Sequence, residues 1–417
     1  AVRTTMPAAL TTAAQTMMPT SEAAAPQAEA SCWDKAVVTP RDFRGVGDGR
    51  VDDTDAVRSA LVYGERCRTK VLIGPEGFSF LVRPGAVQVK LHKVTIRFEG
   101  ELLGPSLRSW NPKFATWPAG SCAYGESGCA SGQGQSPEFV RSKWSLLHLE
   151  NSSEVTIEGP GGLTAPGRDF WRVRNWRPDV VGYCLLKLER CKHIHIADLA
   201  LTDSPMYQVV VMHSSHVELQ RLSIVLNDQT VGDGGPHNTD GVSIIGSTDV
   251  HLWNSEIESG DDNIVIKEGS HRVHVESVTL FRGKGVSIGS LGERAAEAQV
   301  VTDVVFRNIS LDWSMHGARI KTWLGGQGLV RNISFDQFTL ENVAYGVLID
   351  QKYCPLSQRP EGCDDSEEAP AISIENVTFT SFSGSYRNAE KKVYCKRCSG
   401  ISFRDVNLRR SERAWYG

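Results

Sequence analysis

The chain has 417 residues, 40% of them hydrophobic and 23% charged, with a formal net charge of −4. That balance excludes wholesale disorder and collagen-like order. It also lacks a long Lys/Arg block, so it offers no clustered positive charge for nucleic acid. No window approaches 18 consecutive apolar residues, so no bilayer-spanning helix is expected. The expectation is a soluble or secreted monomer with no nucleic-acid or membrane partner.

Residues 1–31 are rich in Ala, Thr, Met and Pro, show no helical or strand period, and read as a flexible leader ahead of a single domain spanning 32–417. The chain opens Ala1-Val2 without an apolar h-region, so any signal peptide is expected to have been removed already or never included. Asp53 or Thr54 is a good N-cap for an amphipathic helix of about ten residues over 54–63.

Short β runs follow. Aliphatic segments recur at 146–149, 185–188, 209–212, 242–245, 264–267 and 286–289. Most are followed about eight residues on by a second alternating run, as at 154–157, 193–196, 217–219, 250–252 and 273–275. Later rungs are expected at 319–321, 347–349 and 393–395. From 185 to 286 the first runs begin at intervals of 24, 33, 22 and 22 residues, a solenoid period with loop insertions. Four- or five-residue runs rich in β-branched side chains fit strands rather than helical repeats. The reading is all-β, a parallel β-helix whose open N-terminal end is covered by the helix at 54–63.

Ten cysteines stand at 32, 67, 122, 129, 184, 191, 354, 363, 395 and 398. Cys122 with Cys129, Cys354 with Cys363 and Cys395 with Cys398 are plausible disulfides, and no second pair stands at zinc-ligand spacing. Four N-x-S/T sequons begin at Asn151, Asn308, Asn332 and Asn376. Both features point to secretion into the extracellular space, and neither calls for a metal or cofactor.

In such a solenoid, residues one coil apart stack about 4.8 Å apart along the axis. Asp240, Asp262 and Lys284 each stand two residues before a rung and 22 residues apart, so they should form one ladder, with Asp261 adjoining. Arg319 and Lys321 belong to a later rung. An Asp-Asp pair after Ser259-Gly260 could be a turn or a calcium loop, but cations at 284, 319 and 321 would repel the metal. Glycosidic hydrolysis instead needs one protonated carboxyl and, in the inverting case, a carboxylate that activates water.

Asn238-Thr239-Asp240-Gly241, Gly260-Asp261-Asp262, Gly283-Lys284-Gly285, Arg319-Ile320-Lys321 and Tyr353 closely resemble, in order and approximate spacing, the signature series of glycoside hydrolase family 28, the polygalacturonases. The resemblance covers about residues 40–410 and looks plant-like around Lys321-Thr322-Trp323 and 349–354. It implies a right-handed parallel β-helix of the pectinase type acting on pectic polysaccharide, an anionic galacturonan. It also implies Asp261 as general acid, Asp240 and Asp262 as the pair that holds and deprotonates water, and inversion. Asn238, Lys284, Arg319, Lys321 and Tyr353 would bind substrate, the two cations of the 319–321 block holding a uronate carboxylate. Lys284 departs from the family's usual His. A cation there would lower the Asp261 pKa and shrink its protonated fraction. Three readings follow: a galacturonan hydrolase, a hydrolase of a related polymer such as rhamnogalacturonan, or a catalytically silent wall-binding protein.

Other patterns read as structure. His193-x-His195 places two imidazoles on one strand face without a third ligand, so a solvated outer face is expected. Gly285-Val286-Ser287-Ile288-Gly289 matches Gly-x-Ser-x-Gly but lies inside a rung, not at a strand-to-helix elbow. Trp110, Trp117, Trp144, Trp171 and Trp176 could line a cleft or pack the solenoid flank.

Overall fold

A computed structural model describes residues 32–110, 142–174, 180, 182–227, 236–293, 297–355 and 371–412. The expected leader, Trp117, Trp176, Cys122, Cys129 and Cys363 lie outside the described residues. Residues 35 onward gather into one compact unit.

The described strands form parallel pairs throughout, and their register resolves into three columns that wind up one solenoid. One column runs through Ser145–Glu150, Cys184–Glu189, Val209–Met212, Val242–Ile245, Ile264–Ile266, Val286–Leu291 and His316–Trp323. A second runs through Ser153–Glu158, Lys192–Ala197, Ser215–Gln220, Thr248–Trp253 and His271–Arg282. The third carries short strands such as Ala200–Thr202 and Ser223–Val225. These strands contain the rungs expected from the aliphatic runs, so the architecture is the right-handed parallel β-helix.

Each coil turns at corners where non-glycine residues take φ near +50°. One corner column holds Glu154, His193, His216, Asp249, Arg272, Asp303, Asn332 and Asn376; another holds Asp198, Arg221, Asn254, Ser277 and Asn308. Left-handed backbone costs an L-residue roughly 1–2 kcal/mol. The cost is tolerated because strands on both sides of the corner are pinned by parallel ladders. Asn and Asp, frequent here, adopt this region most readily among residues with a side chain.

Inside the coils, like stacks on like. Phe306, Phe335, Phe379 and Phe403 form a parallel file with ring centroids 5.1, 5.0 and 5.0 Å apart. Val217, Val250, Val273 and Val304 repeat the pattern with aliphatic side chains.

Helix α1, Thr54–Cys67, buries Val57, Ala60, Leu61 and Tyr63 against the first coils, where the cap was expected. It runs longer than the ten residues expected and stops at Arg68, whose φ of 51° ends the turn. Asp53 occupies the N-cap position, but its carboxylate does not cap the helix. It accepts the backbone N–H groups of Val46 and Gly47, at 2.7 and 2.9 Å, and so ties the preceding loop down. A second helix, α2, Gly167–Arg174, was not foreseen; Phe170 and Trp171 bury it on the flank, with Trp171 Nε1 donating to the Ser204 carbonyl at 3.1 Å. Trp110 is likewise packed, 4.9 Å from the Tyr183 ring. Trp110 and Trp171 are therefore flank packing, not cleft walls.

Cys395 and Cys398 are joined, with Cα atoms 5.9 Å apart. Cys354 is also disulfide-bonded, its expected partner lying outside the described residues, and so are Cys32 and Cys67. Cys184 and Cys191 are buried thiols. Burial pushes the Cys184 thiol up to about 12, which makes it inert.

Phe335 is fully buried between two stacked rings. Phe335→Ala should cost about 3–5 kcal/mol, read as a lowered denaturation midpoint in urea at unchanged m-value.

Candidate active site

The first column of strands brings the candidate residues together because register is kept from coil to coil. Val242 pairs with Ile264, Ile264 with Val286, Val286 with Ala318 and Ala318 with Val347. Two positions before these partners stand Asp240, Asp262, Lys284, His316 and Tyr345. The ladder of Asp240, Asp262 and Lys284 thus occupies one register, and His316 extends it by a coil.

Gly283 and Gly285 hold Lys284 at φ values of 61° and 75°. Neighbouring coils leave no room for a side chain at either: a Cβ would meet Ser259 Oγ at 2.4 Å from Gly283 and the His316 carbonyl oxygen at 1.9 Å from Gly285. The two glycines therefore answer a packing demand between coils.

Asp262 is the most tightly held carboxylate. Its Oδ1 accepts from Arg319 Nη2 at 2.5 Å and from Ser287 Oγ at 2.9 Å, and its Oδ2 accepts from Lys321 Nζ at 2.8 Å. Arg319 Nε also donates to Ser287 Oγ at 3.0 Å. Both cations sit two coils above Asp262. They reach it because the coil between carries small residues in their columns: Ser287, which pairs with Arg319 and bridges, and Gly289, which pairs with Lys321 and leaves the space open. Ser287 is thus a positioning residue rather than a nucleophile. Burial would raise the Asp262 carboxyl, but Arg319, Lys321 and then Lys284 outweigh it and hold the group far below the ordinary range. Burial, then the neighbouring guanidinium, bring Lys321 down to about 8.

Asp261 meets the third cation. Its Oδ2 accepts from Lys284 Nζ at 2.9 Å and from the Asn238 backbone N–H at 3.3 Å, while Oδ1 accepts the Asp262 N–H at 3.0 Å. Burial opposes ionisation here too, but Lys284 prevails and keeps the carboxyl below its usual value. The Lys284 side chain is 30% exposed against 11% for Asp261, so this pair opens toward solvent.

Asp240 is the odd member. Its Oδ2 accepts a long hydrogen bond from Ser243 Oγ at 3.3 Å. Burial, followed by the charges of Asp261 and Asp262, raises it to about 8. Of the three carboxyls, Asp240 therefore carries the proton at neutral pH.

Several residues were missed by the sequence reading. His316 is 3% exposed, its Nδ1 lies 3.3 Å from the Lys284 carbonyl oxygen, and its ring stacks on Tyr345 at 5.6 Å. Burial and then Arg319 keep it neutral, well below the ordinary histidine value. Its place two residues before a rung was the available signal. Lys267 follows the strand Ile264–Ile266, is 6% exposed, and its charge favours ionisation of Asp240. Tyr353 lies beside Lys321, whose Nζ is 5.5 Å from its ring centroid. Among the described residues no cluster of three or more His, Cys, Asp or Glu side chains could hold a metal ion, and no helix is long and apolar enough to cross a membrane.

Residues 138–416 match the model of glycosyl hydrolases family 28. The chain belongs to that family. A polygalacturonase of Persea americana is 31% identical over 88% of this chain and 72% of its own length, and a probable polygalacturonase of Arabidopsis thaliana is 28% identical over the same shares. Among solved structures, endo-xylogalacturonan hydrolase from Aspergillus tubingensis superposes with a TM-score of 0.73 at 21% identity, covering 90% of this chain and 93% of that one. A polygalacturonase from Erwinia carotovora gives 0.62 at 16% identity, covering 92% and 99%. Family membership makes the chain a glycoside hydrolase, and the structural likenesses agree with its parallel β-helix fold.

Two stability tests follow from the ion cage. Asp262→Asn leaves Arg319 and Lys321 buried without their carboxylate and should destabilise by about 3–5 kcal/mol in denaturant unfolding. Asp240→Asn has the opposite sign. A carboxyl whose native pKa is raised gives stability that is full below its unfolded value and is lost as pH rises through the native value near 8. The asparagine variant should therefore match wild type near pH 4 and exceed it by about 2–4 °C in Tm at pH 8.

Proposed function

We propose that this glycoside hydrolase cleaves α-1,4-galacturonosyl linkages of pectin with inversion, Asp261 acting as general acid and Asp240 with Asp262 holding and deprotonating the attacking water. The observation that carries the reading is the convergence of three buried carboxyls with Lys284, Arg319 and Lys321, a set that suits an anionic sugar and offers both acid and base. The polygalacturonases among its relatives support the same substrate class.

In this arrangement the protons sit in the wrong places for a first turnover at neutral pH. The Lys284 contact keeps Asp261 ionised, and Asp240 is protonated. A uronate carboxylate entering between Tyr353 and the cations would compete with Asp262 for Arg319 and Lys321. As that competition weakens the cage, Asp262 becomes a stronger acceptor toward water. Acidic solution supplies the proton that Asp261 must donate, so activity belongs to the acid side.

The same reading places the protein outside the cell, in or near the wall. All four sequon asparagines are exposed at coil corners, as an acceptor for a glycan must be. Asn376 Nδ2 lies 3.4 Å from Asn332 Oδ1 on the adjacent coil, so a glycan on one leaves little room for a second on the other.

Reducing-end release from polygalacturonate, followed across acidic to neutral pH, tests the assignment. Asp261→Asn should lose about 10²–10⁴ in kcat. Lys284→His removes the permanent cation, so Asp261 regains its proton at higher pH, and the alkaline limb of the profile should move up by about one unit. A wild-type protein silent on polygalacturonate at every pH, yet active on rhamnogalacturonan, would give the site to that polymer instead.

A further inference from the structure

On the second column of strands, away from the catalytic carboxyls, a groove of about 850 Å³ runs along the outer face. Its walls come from two files of side chains. One is the corner file His193, His216, Asp249, Arg272 and Asp303, ended by the sequon residue Asn332, where a glycan would bound the groove. The other is the outward file His195, Glu218, His251, His274 and Val305, one residue per coil. At about 4.8 Å per coil the file from His193 to Asp303 spans roughly 19 Å, the length of an extended chain rather than of a small ion.

Five imidazoles line this groove, and they are ordered against one another. His193 and His216 stack face to face with centroids 4.7 Å apart and planes 7° from parallel. His251 stacks on Trp253 at 4.2 Å and meets the edge of His274 at 6.1 Å. The carboxylates already have partners: Glu218 takes His195 at 3.0 Å, Asp249 takes Arg272 at 2.6 Å, and Asp303 takes the Asn332 amide at 2.9 Å. Bordering positions add Lys192 and Arg307 on the positive side and Glu154 and Glu276 on the negative, and His271, 3.1 Å from Thr248 Oγ1, lies at the edge.

With neutral imidazoles, three carboxylates against one guanidinium make the groove net negative. Five imidazolium charges would reverse its sign. Burial, then the neighbouring His274, depress His251, which therefore protonates only in more acidic solution. A metal does not fit, because no cluster that could hold one occurs among the described residues.

We propose that this groove is a second, non-catalytic binding site for a uronate polysaccharide chain, empty of affinity near neutral pH and engaged in acid. The choice of a uronate chain rests on the function proposed above. A linear polyanion laid along the axis meets the imidazole files coil by coil. A hydrolase so equipped grips its polymer at two places in an acidic wall.

The test uses Asp261→Asn protein, which binds without cutting. Footprinting with diethyl pyrocarbonate at about pH 6 should show polygalacturonate protecting His193, His216, His251 and His274, while His92 and His213, exposed elsewhere, stay reactive. Affinity for polygalacturonate should be about tenfold tighter near pH 5 than near pH 8, and adding His216→Gln with His251→Gln should reduce that ratio to about twofold or less. The single His216→Gln, on a side chain 47% exposed, serves if the double variant folds poorly, and should remove part of the ratio. Unprotected groove histidines, or an unchanged ratio in the glutamine variants, would overturn the proposal. If dextran sulfate protects the groove as well as polygalacturonate does, the site is a general polyanion surface and the uronate assignment fails. Hydrolysis of polygalacturonate by the wild type is measured in parallel, so a loss of the groove alone is distinguished from a failure of the catalytic reading.

Discussion

Coil-to-coil register is the constraint on which everything else in this molecule depends. A slip of one residue would exchange inward and outward faces of every strand it touched. It would bury Ser287 and Arg319 among Val286, Ile288 and Ile320, and turn those aliphatic side chains into the cleft. The register is protected from inside by stacked Val and Phe files and at the corners by residues locked at positive φ. Each device is weak per residue, but the ladders repeat it at every coil, which is how a solenoid gathers stability from nearest-neighbour contacts.

The site is built by tension among buried charges. Three carboxyls and three cations are packed together, Arg319 and Lys321 buried on Asp262 and Lys284 on Asp261 where the site opens toward solvent. Asp240 is left to the repulsion of the other two and resolves it by keeping a proton. The acid-base assignment implied by family resemblance asks for the reverse distribution. The difference marks what substrate and acidic solution must accomplish, and it gives Lys284 a definite physical consequence. A neutral imidazole in its place would not hold Asp261 ionised so firmly. His316, neutral and one coil above, lies against the Lys284 backbone.

Much of this was legible in the sequence. The 22-residue spacing of Asp240, Asp262 and Lys284 announced their common register, and the aliphatic runs announced the rungs themselves. What escaped depends on relations that spacing does not carry. Insertions stretch the later intervals, so nothing in the sequence said that Arg319 and Lys321 reach back across a whole coil to Asp262, nor that Ser287 and Gly289 make that reach possible. The extent of α1 escaped because its end is set by the αL turn at Arg68 rather than by a change in polarity. Helix α2 is a single insertion with no repeat to announce it. The histidines were seen only as a pair on one strand. His216, His251 and His274 join them because three further coils place their corners and outward positions in line.

A stable core and a reactive site make opposite demands on the same column of strands. Replacing a buried ion network by well-packed apolar residues is often neutral or stabilising, so the cage around Asp262 is poorly explained as a stability device. Its value lies in geometry. In the proposed function, two cations fixed on one carboxylate are already desolvated and oriented before a uronate arrives, and the exchange of one carboxylate for another costs little reorganisation. The aliphatic files beneath supply the stability that the charges do not. Each file runs through several consecutive coils, so the coils that carry the site are held by their neighbours on either side.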